Sequence, residues 1–262
     1  MALLRMFARE ERPAAFLEGR VGYAIGDIHG RADLLSSMFD ALERRAEQDT
    51  RPGGTPIVIF LGDYVDRGRD SARVLDLLLE ARPNGFERRY LRGNHEQAMQ
   101  AFLADPVANR GWVRHGGAET LAAYGVAPPS LTAPAEEAEW IAAAEALKAA
   151  LPANHLAFLD KLERHVALGG YLFVHAGVDP GKSLDDQTDQ DLYWSRARFL
   201  ESKKRFSHRI VHGHTPVERP FIDARRIGVD TGAYASGVLT AVRLEGEQAE
   251  FVSVEDHTRF RF

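Results

Sequence analysis

The sequence predicts an α/β fold: two central mixed β-sheets packed face to face, with helices on their outer faces. Three observations carry this expectation. Short apolar runs alternate with helix-spaced segments through the first third of the chain, the pattern of strands joined by right-handed crossover helices. The last third instead offers apolar runs with few helices between them, which argues for a second, partly antiparallel sheet. Repeatedly, an apolar run ends in a glycine-flanked loop bearing Asp, His or Asn, at the strand edge where open sheets place chemistry.

Taken in order, Val21-Gly22-Tyr23-Ala24-Ile25 reads as the first strand and ends in Gly26-Asp27-Ile28-His29-Gly30. Leu34, Leu35, Met38, Phe39, Leu42 and Ala46 then recur at helical spacing, with Asp33 as the expected N-cap. Arg51-Pro52-Gly53-Gly54 breaks that helix. Ile57-Val58-Ile59-Phe60-Leu61 is the second strand and leads into Gly62-Asp63-Tyr64-Val65-Asp66-Arg67-Gly68. Ser71 is expected to cap a second helix, with Val74, Leu75, Leu78 and Leu79 on its buried face. Glu87-Arg88-Arg89-Tyr90-Leu91 forms a third strand, closed by Arg92-Gly93-Asn94-His95-Glu96.

Residues 96–168 read as a helical insertion. Its Ala/Glu-rich part, 133–150, is expected to cover one side of the site, with Trp140 and Ile141 as packing residues. Strands resume at Tyr171-Leu172-Phe173-Val174, followed by His175-Ala176-Gly177, and at Arg209-Ile210-Val211, followed by His212-Gly213-His214-Thr215. Further strands are expected at 226–229, 238–244 and 250–254. No linker, internal repeat or low-complexity tract divides the chain. Residues 1–20 read as a lead-in and 21–262 as one catalytic domain.

Composition narrows the function. The chain has 262 residues, 45% hydrophobic and 27% charged, as in a globular protein. A net charge of −5 gives no basic footprint for nucleic acid, and no apolar run approaches the ~20 residues of a membrane span. The absence of cysteine excludes disulfides, thiolate metal sites and a cysteine nucleophile. It agrees with a reducing compartment, and a cytoplasmic location is expected.

Five of the loops bring together Asp27, His29, Asp63, Asn94, His175 and His214. Oxygen and imidazole donors without thiolate suit a borderline divalent metal such as Mn, Fe or Zn. Six ligands exceed what one ion needs, but two ions ~3.5–4 Å apart sharing a carboxylate would use them all. Asp63, in the central loop, is the expected bridge. Asp27 and His29 would serve the first ion, and Asn94, His175 and His214 the second.

These strings, together with Gly93-Asn94-His95-Glu96 and Gly213-His214-Thr215, resemble the PPP-type phosphoprotein phosphatases, within the calcineurin-like metallophosphoesterases. The resemblance runs in order from about residue 21 to 240 and is closest to the compact bacterial and phage type. It implies in-line attack on phosphorus by a water or hydroxide between two cations, without a covalent phosphoenzyme. It assigns His95 as leaving-group acid, Asp66 as the partner orienting it, and Arg67 as a phosphate-binding arginine, with Asn94 also near substrate. Tyr193-Trp194-Ser195-Arg196 resembles the segment carrying a second such arginine, so Arg196 is the candidate and Arg198 the fallback. Asp230-Thr231-Gly232-Ala233 resembles a late segment, expected to form a tight turn under the site. His212, two residues before His214, is expected to face the same way, with a supporting role. His115, His155, His165, His208 and His257 match no motif and read as ordinary surface or core residues.

On the same resemblance, Asp66 favours a serine/threonine protein phosphatase of broad specificity, acting on phosphoproteins or small phosphoesters. The alternative is a dinucleoside tetraphosphate hydrolase. Two readings outside that class are a catalytically weak phosphopeptide-binding module and a nucleic-acid phosphodiesterase.

Overall fold

The computed structural model describes residues 13–48, 53–80, 82–130 and 135–256. The expected turn at Arg51 and Pro52, the first twelve residues and His257 lie outside that range. Among the described residues, the strands form two five-stranded sheets. The first sheet holds β1 (Val21–Ile25), β2 (Ile57–Phe60) and β3 (Glu87–Tyr90), which pair in parallel. The second centres on β5 (Tyr171–Val174), β6 (Arg209–His212) and β8 (Arg226–Gly228), also parallel, with antiparallel β4 (His165–Leu168) and β7 (Phe221–Ile222) at its edges.

Two expectations are corrected here, and one unexpected strand is added. The last two strands, β9 (Val238–Glu245) and β10 (Gln248–Glu255), do not join the second sheet. β9 returns antiparallel to β1 and so completes the first sheet, with β10 on its edge. β4 ends the expected helical run, because residues 165–168 pair with β5 rather than coil. β7 is a two-residue strand, too short for any periodicity to announce.

Both faces of the central strands are covered, which explains the uninterrupted apolar runs of β1, β2 and β5. Between the sheets lie Ala24, Ile57, Ile59, Leu61, Val242 and Leu244 from one side and Tyr171, Phe173, Val211 and Ile227 from the other. Phe16, within the expected lead-in, packs into the same layer. Tyr23, Ile25, Val58 and Phe60 face outward into α1 (Ala32–Gln48) and α2 (Ser71–Leu79). The second sheet turns Leu172, Val174 and Ile210 toward the short α7 (Asp189–Trp194) and α8 (Ala197–Leu200). Among the described residues, no helix is long and apolar enough to cross a membrane.

Helix termini differ from expectation. α1 starts at Ala32, so Asp33 lies in its first turn and pairs with Arg31 rather than capping. α2 is flanked by Asp70, and Ser71 is its first residue. The Ser71 hydroxyl instead accepts from the Asp66 backbone N–H at 3.1 Å.

The helical segment comprises α3 (Asn94–Ala104), a π-helical turn (Val113–Gly117), α4 (Ala118–Ala123), α5 (Glu137–Ala150) and α6 (Ala153–Asp160). α5 extends the outer layer of the first sheet, with Trp140 buried and Ile141, against expectation, exposed. The π-helical turn and α4 are the parts that reach the motif loops. The Arg67 backbone N–H donates to Gly116 O at 3.1 Å, and Trp112 and Thr120 contact Asp66.

Candidate metal and phosphate site

The parallel strands of both sheets end at one shared edge, and there the motif loops converge. Loops one and two are zipped together, with Ile28 N and His29 N both donating to Asp63 O, at 3.1 and 2.9 Å. The local backbone is strained to achieve this. His29, Asp63, Asp66, Arg67 and His214 all have positive φ, between 45° and 75°. Non-glycine residues hold that conformation only where surrounding contacts impose it, and such residues cluster at functional sites. A Cβ on Gly93 would collide with Asp63 Oδ1, and one on Gly213 with Asp27 Oδ1, so glycine is required where the loops cross the carboxylates.

Asp63 Oδ2 is the hub. It lies 3.5 Å from His29 Nε2, 3.4 Å from His175 Nε2 and 4.0 Å from His95 Nε2. His29, Asp63 and His95 form one buried group able to hold a cation, and Asp63, His175 and His214 form another. Asp63 thus belongs to both. Asn94 Oδ1 approaches His175 Nε2 at 2.9 Å and His214 Nδ1 at 2.7 Å, so it joins the second group. Asp27 belongs to neither group and is bound by the His214 backbone N–H, at 3.1 and 3.0 Å from its two oxygens.

Two backbone carbonyls orient the histidine rings. His29 Nδ1 bonds Val65 O at 2.8 Å and His175 Nδ1 bonds Leu61 O at 2.8 Å. Each carbonyl accepts only from a protonated Nδ1, which turns Nε2 toward Asp63. The buried His29 Nε2 has no hydrogen-bond partner. An unpartnered imidazole nitrogen facing a buried carboxylate is the donor arrangement a divalent cation completes.

The electrostatics agree. Burial drives His29 down to about 3 and His214 down to about 2, so both rings are neutral and have lone pairs to offer. Burial also raises Asp27 well above the ordinary carboxylate range, helped by Asp230, and pushes Asp230 up to about 6. For Asp63 burial acts upward, but His175, His95 and His29 outweigh it and hold the group well below its ordinary value. Burial opposes charge on His175 too, yet Asp63 and Asp27 push that ring up to about 10. A cluster that concentrates buried negative charge strongly enough to keep a buried histidine protonated is one that a cation would neutralise.

Beside the hub sits an acid dyad. His95 Nδ1 lies 2.6 Å from Asp66 Oδ2. Asp66 also accepts from Trp112 Nε1 at 2.7 Å and Thr120 Oγ1 at 2.6 Å, so it is fully buried yet satisfied. Burial works against a charged His95, but Asp63 and Asp66 prevail and raise its pKa above the ordinary histidine value. Arg67 NH2 is 3.1 Å from His95 Nε2. Glu96, the next residue, accepts from the backbone N–H groups of Asp63, Tyr64, Val65 and Gly93, tying the second loop to the third.

Of the two candidate arginines beyond His175, Arg198 is occupied by Asp179 at 2.9 Å, whereas the Arg196 charge acts on His214. His212 does not face the site. Its Nε2 is 3.0 Å from Arg226 NH1 and its ring packs on Phe199, because the strand ends before the left-handed His214 redirects the chain. The 230–233 segment does make a tight turn, with Gly232 N donating to Asp230 Oδ1 at 2.8 Å. Sequence reasoning missed Trp112, Thr120 and Tyr234. The Tyr234 ring packs 5.4 Å from His29 and lies under the Arg67 guanidinium at 4.8 Å. Only its closeness to the Asp230 segment could have pointed to it.

Comparison with known proteins follows the same lines. Residues 23–241 match the family model described as calcineurin-like phosphoesterase. A bis(5'-nucleosyl)-tetraphosphatase PrpE [asymmetrical] of Halalkalibacterium halodurans is 31% identical over 247 residues, covering 88% of this chain and 92% of its own. Its namesake in Bacillus velezensis is 30% identical over 256 residues, covering 90% and 95%. Serine/threonine-protein phosphatase 1 of Salmonella typhimurium is 26% identical over 231 residues, covering 85% and 91%. Among solved structures, a provisionally named diadenosine tetraphosphatase superposes with a TM-score of 0.58 at 17% identity, covering 92% of this chain and 98% of that one. At such identity the likeness speaks for the fold alone.

Proposed function

The chain belongs to the calcineurin-like phosphoesterase family, and from that premise we propose that it hydrolyses bis(5'-nucleosyl) tetraphosphates with the help of two divalent cations. The observation that carries the substrate is the set of relatives named asymmetrical tetraphosphatases, similar along nearly the whole of both chains. This reverses the preference drawn from Asp66, since relatives bearing either name match this chain.

Asp27, His29 and Asp63 would hold one cation, and Asp63, Asn94, His175 and His214 the other, with Mn the first expectation and Fe or Zn the alternatives. Bound there, the ions supply Lewis-acid charge and make water a competent nucleophile near neutral pH. The chain supplies the rest. Arg67 and Arg196 meet the phosphoryl oxygens, where a guanidinium can fork onto two at once. Moving Arg67 onto phosphate also frees His95 Nε2 to carry the proton it delivers. Asp66 holds that ring oriented and favours its charged form. Water adds across a P–O–P link, its oxygen to one phosphorus and a proton to the departing phosphate. An asymmetrical cut releases a nucleoside monophosphate and a nucleoside triphosphate.

One observation favours a second reading, a phosphoprotein phosphatase. A phosphate leaving from an anhydride needs little protonation, whereas a serine or threonine alkoxide needs it badly. The short Asp66–His95 contact suits the more basic leaving group. The test is turnover by metal-stripped, Mn²⁺-reloaded protein of diadenosine tetraphosphate in ¹⁸O-water and, separately, of a phosphothreonine peptide. AMP and ATP in equal amounts, at a kcat/KM far above that for the peptide, support the main reading. The opposite preference overturns it in favour of the second, and ADP alone overturns the asymmetrical cut.

A further inference from the structure

We infer that Trp194 is the platform on which a nucleobase of the substrate stacks, making it a specificity-determining residue; this rests on the dinucleotide reading above. Trp112 and Trp140 are buried, whereas Trp194 is 38% exposed. Its place at the site explains why. The indole lies 6.4 Å from the His214 ring, centroid to centroid, and so at the rim of the second cation group.

The ring is also held. Trp194 ends α7 on the second sheet's side, and its Nε1 donates at 2.7 Å to Gln97 Oε1 in the first turn of α3, on the first sheet's side. A hydrogen bond across the cleft fixes the indole before ligand arrives, so little ordering entropy is lost on binding. Two residues further on, Arg196 places its charge near His214. An aromatic surface at the rim of the cation group, with an arginine two residues further along the chain, answers the pair of chemistries a nucleotide presents. Tyr234, on the His29 side, packs edge-on against His29 and under the Arg67 guanidinium.

Stacking on one indole is tolerant of base identity, because every base has a π-face. Adenosine and guanosine nucleotides should therefore bind comparably. Removing the platform should reduce affinity for a base-bearing ligand by roughly five- to a hundred-fold.

The experiment compares AMP with ribose 5-phosphate, which has the same phosphoester and no base, as inhibitors of p-nitrophenyl phosphate turnover by the Mn²⁺-loaded protein. Wild type should prefer AMP by roughly five- to a hundred-fold. In Trp194→Ala that ratio should fall to near one, and in Trp194→Phe it should be partly kept. The inhibition constant of inorganic phosphate, measured in each variant, reports whether the phosphate site still stands. Gln97→Ala, which unfastens the ring without removing it, should give an intermediate ratio. Equal inhibition of wild type by AMP and ribose 5-phosphate overturns the inference, as does an AMP preference that survives Trp194→Ala or is lost only in Tyr234→Ala. A preference that vanishes in Trp194→Ala supports the platform even where diadenosine tetraphosphate is not turned over. In that case it is the substrate reading that fails.

Discussion

The two sheets end at the same edge but bring different chemistry to it. Loops of the first supply Asp27, His29, Asp63, Asp66, Arg67, Asn94 and His95, which include the shared carboxylate and the acid dyad. The second supplies His175 and His214 and, beyond them, Trp194 and Arg196. Their backing differs too. The first sheet is covered by α1, α2 and the helical segment, which braces Asp66 through Trp112 and Thr120. The second is covered at the same end by the short α7 and α8 with the loops that flank them. Under the proposed function, proton delivery by His95 and Asp66 falls on the heavily braced side and the contacts of Trp194 and Arg196 on the lighter one, while the two cation groups draw on both. Substitutions at His95 or Asp66 should therefore lower kcat, and those at Arg196 or Trp194 should weaken binding.

The sharpest challenge to this division is Asp63→Asn. Asp63 serves both cation groups, so the variant should lose both metals and fall to background turnover, measured by metal content alongside activity. Full occupancy with full activity would break the comparison at its centre. Next comes His95→Ala, which should lower kcat by about 10²–10⁴ for an alkyl phosphate. The loss should be far smaller for p-nitrophenyl phosphate, whose leaving group needs little protonation. Equal losses on both would remove His95 from proton delivery.

The pH profile sharpens the same point. The Asp66 carboxylate, 2.6 Å from His95 Nδ1, favours the protonated ring, so kcat for an alkyl phosphate should fall along an alkaline limb as that proton is lost. Asp66→Asn withdraws a charge that favours the protonated ring, and its alkaline limb should begin at lower pH. A limb that does not move would sever the dyad. The smallest effect tests the lighter side. Arg196→Ala should raise the phosphate inhibition constant several-fold with little change in kcat. Arg198→Ala should leave it where it was, because Arg198 is turned to Asp179.

What the sequence discloses divides along related lines. The crossover half is legible because β1 and β2 are buried apolar runs followed by helices of clear periodicity, and β3 is marked by the motif loop that closes it. The motif loops are legible because their chemistry is local, within a few residues of a strand end. β4 and β7 escape notice as short edge strands, and the return of β9 to β1 is a long-range pairing that no local pattern encodes. The partners of Asp66 are hidden for the same reason. Trp112 and Thr120 lie far along the chain, in a stretch that reads simply as helix. His212 misleads because strand alternation is extrapolated two residues past the strand.

The Trp112 and Thr120 bonds have a consequence for how such a protein can diversify. The stretch between α3 and α4 is not a detachable module dropped between two strands. It carries the brace of Asp66, and through Gly116 it also holds the backbone of Arg67. Exchanging it for a foreign segment, in a chimera or over evolutionary time, would alter proton delivery and phosphate grip at one stroke. Residues 112–120 must therefore be inherited together with the loop they steady.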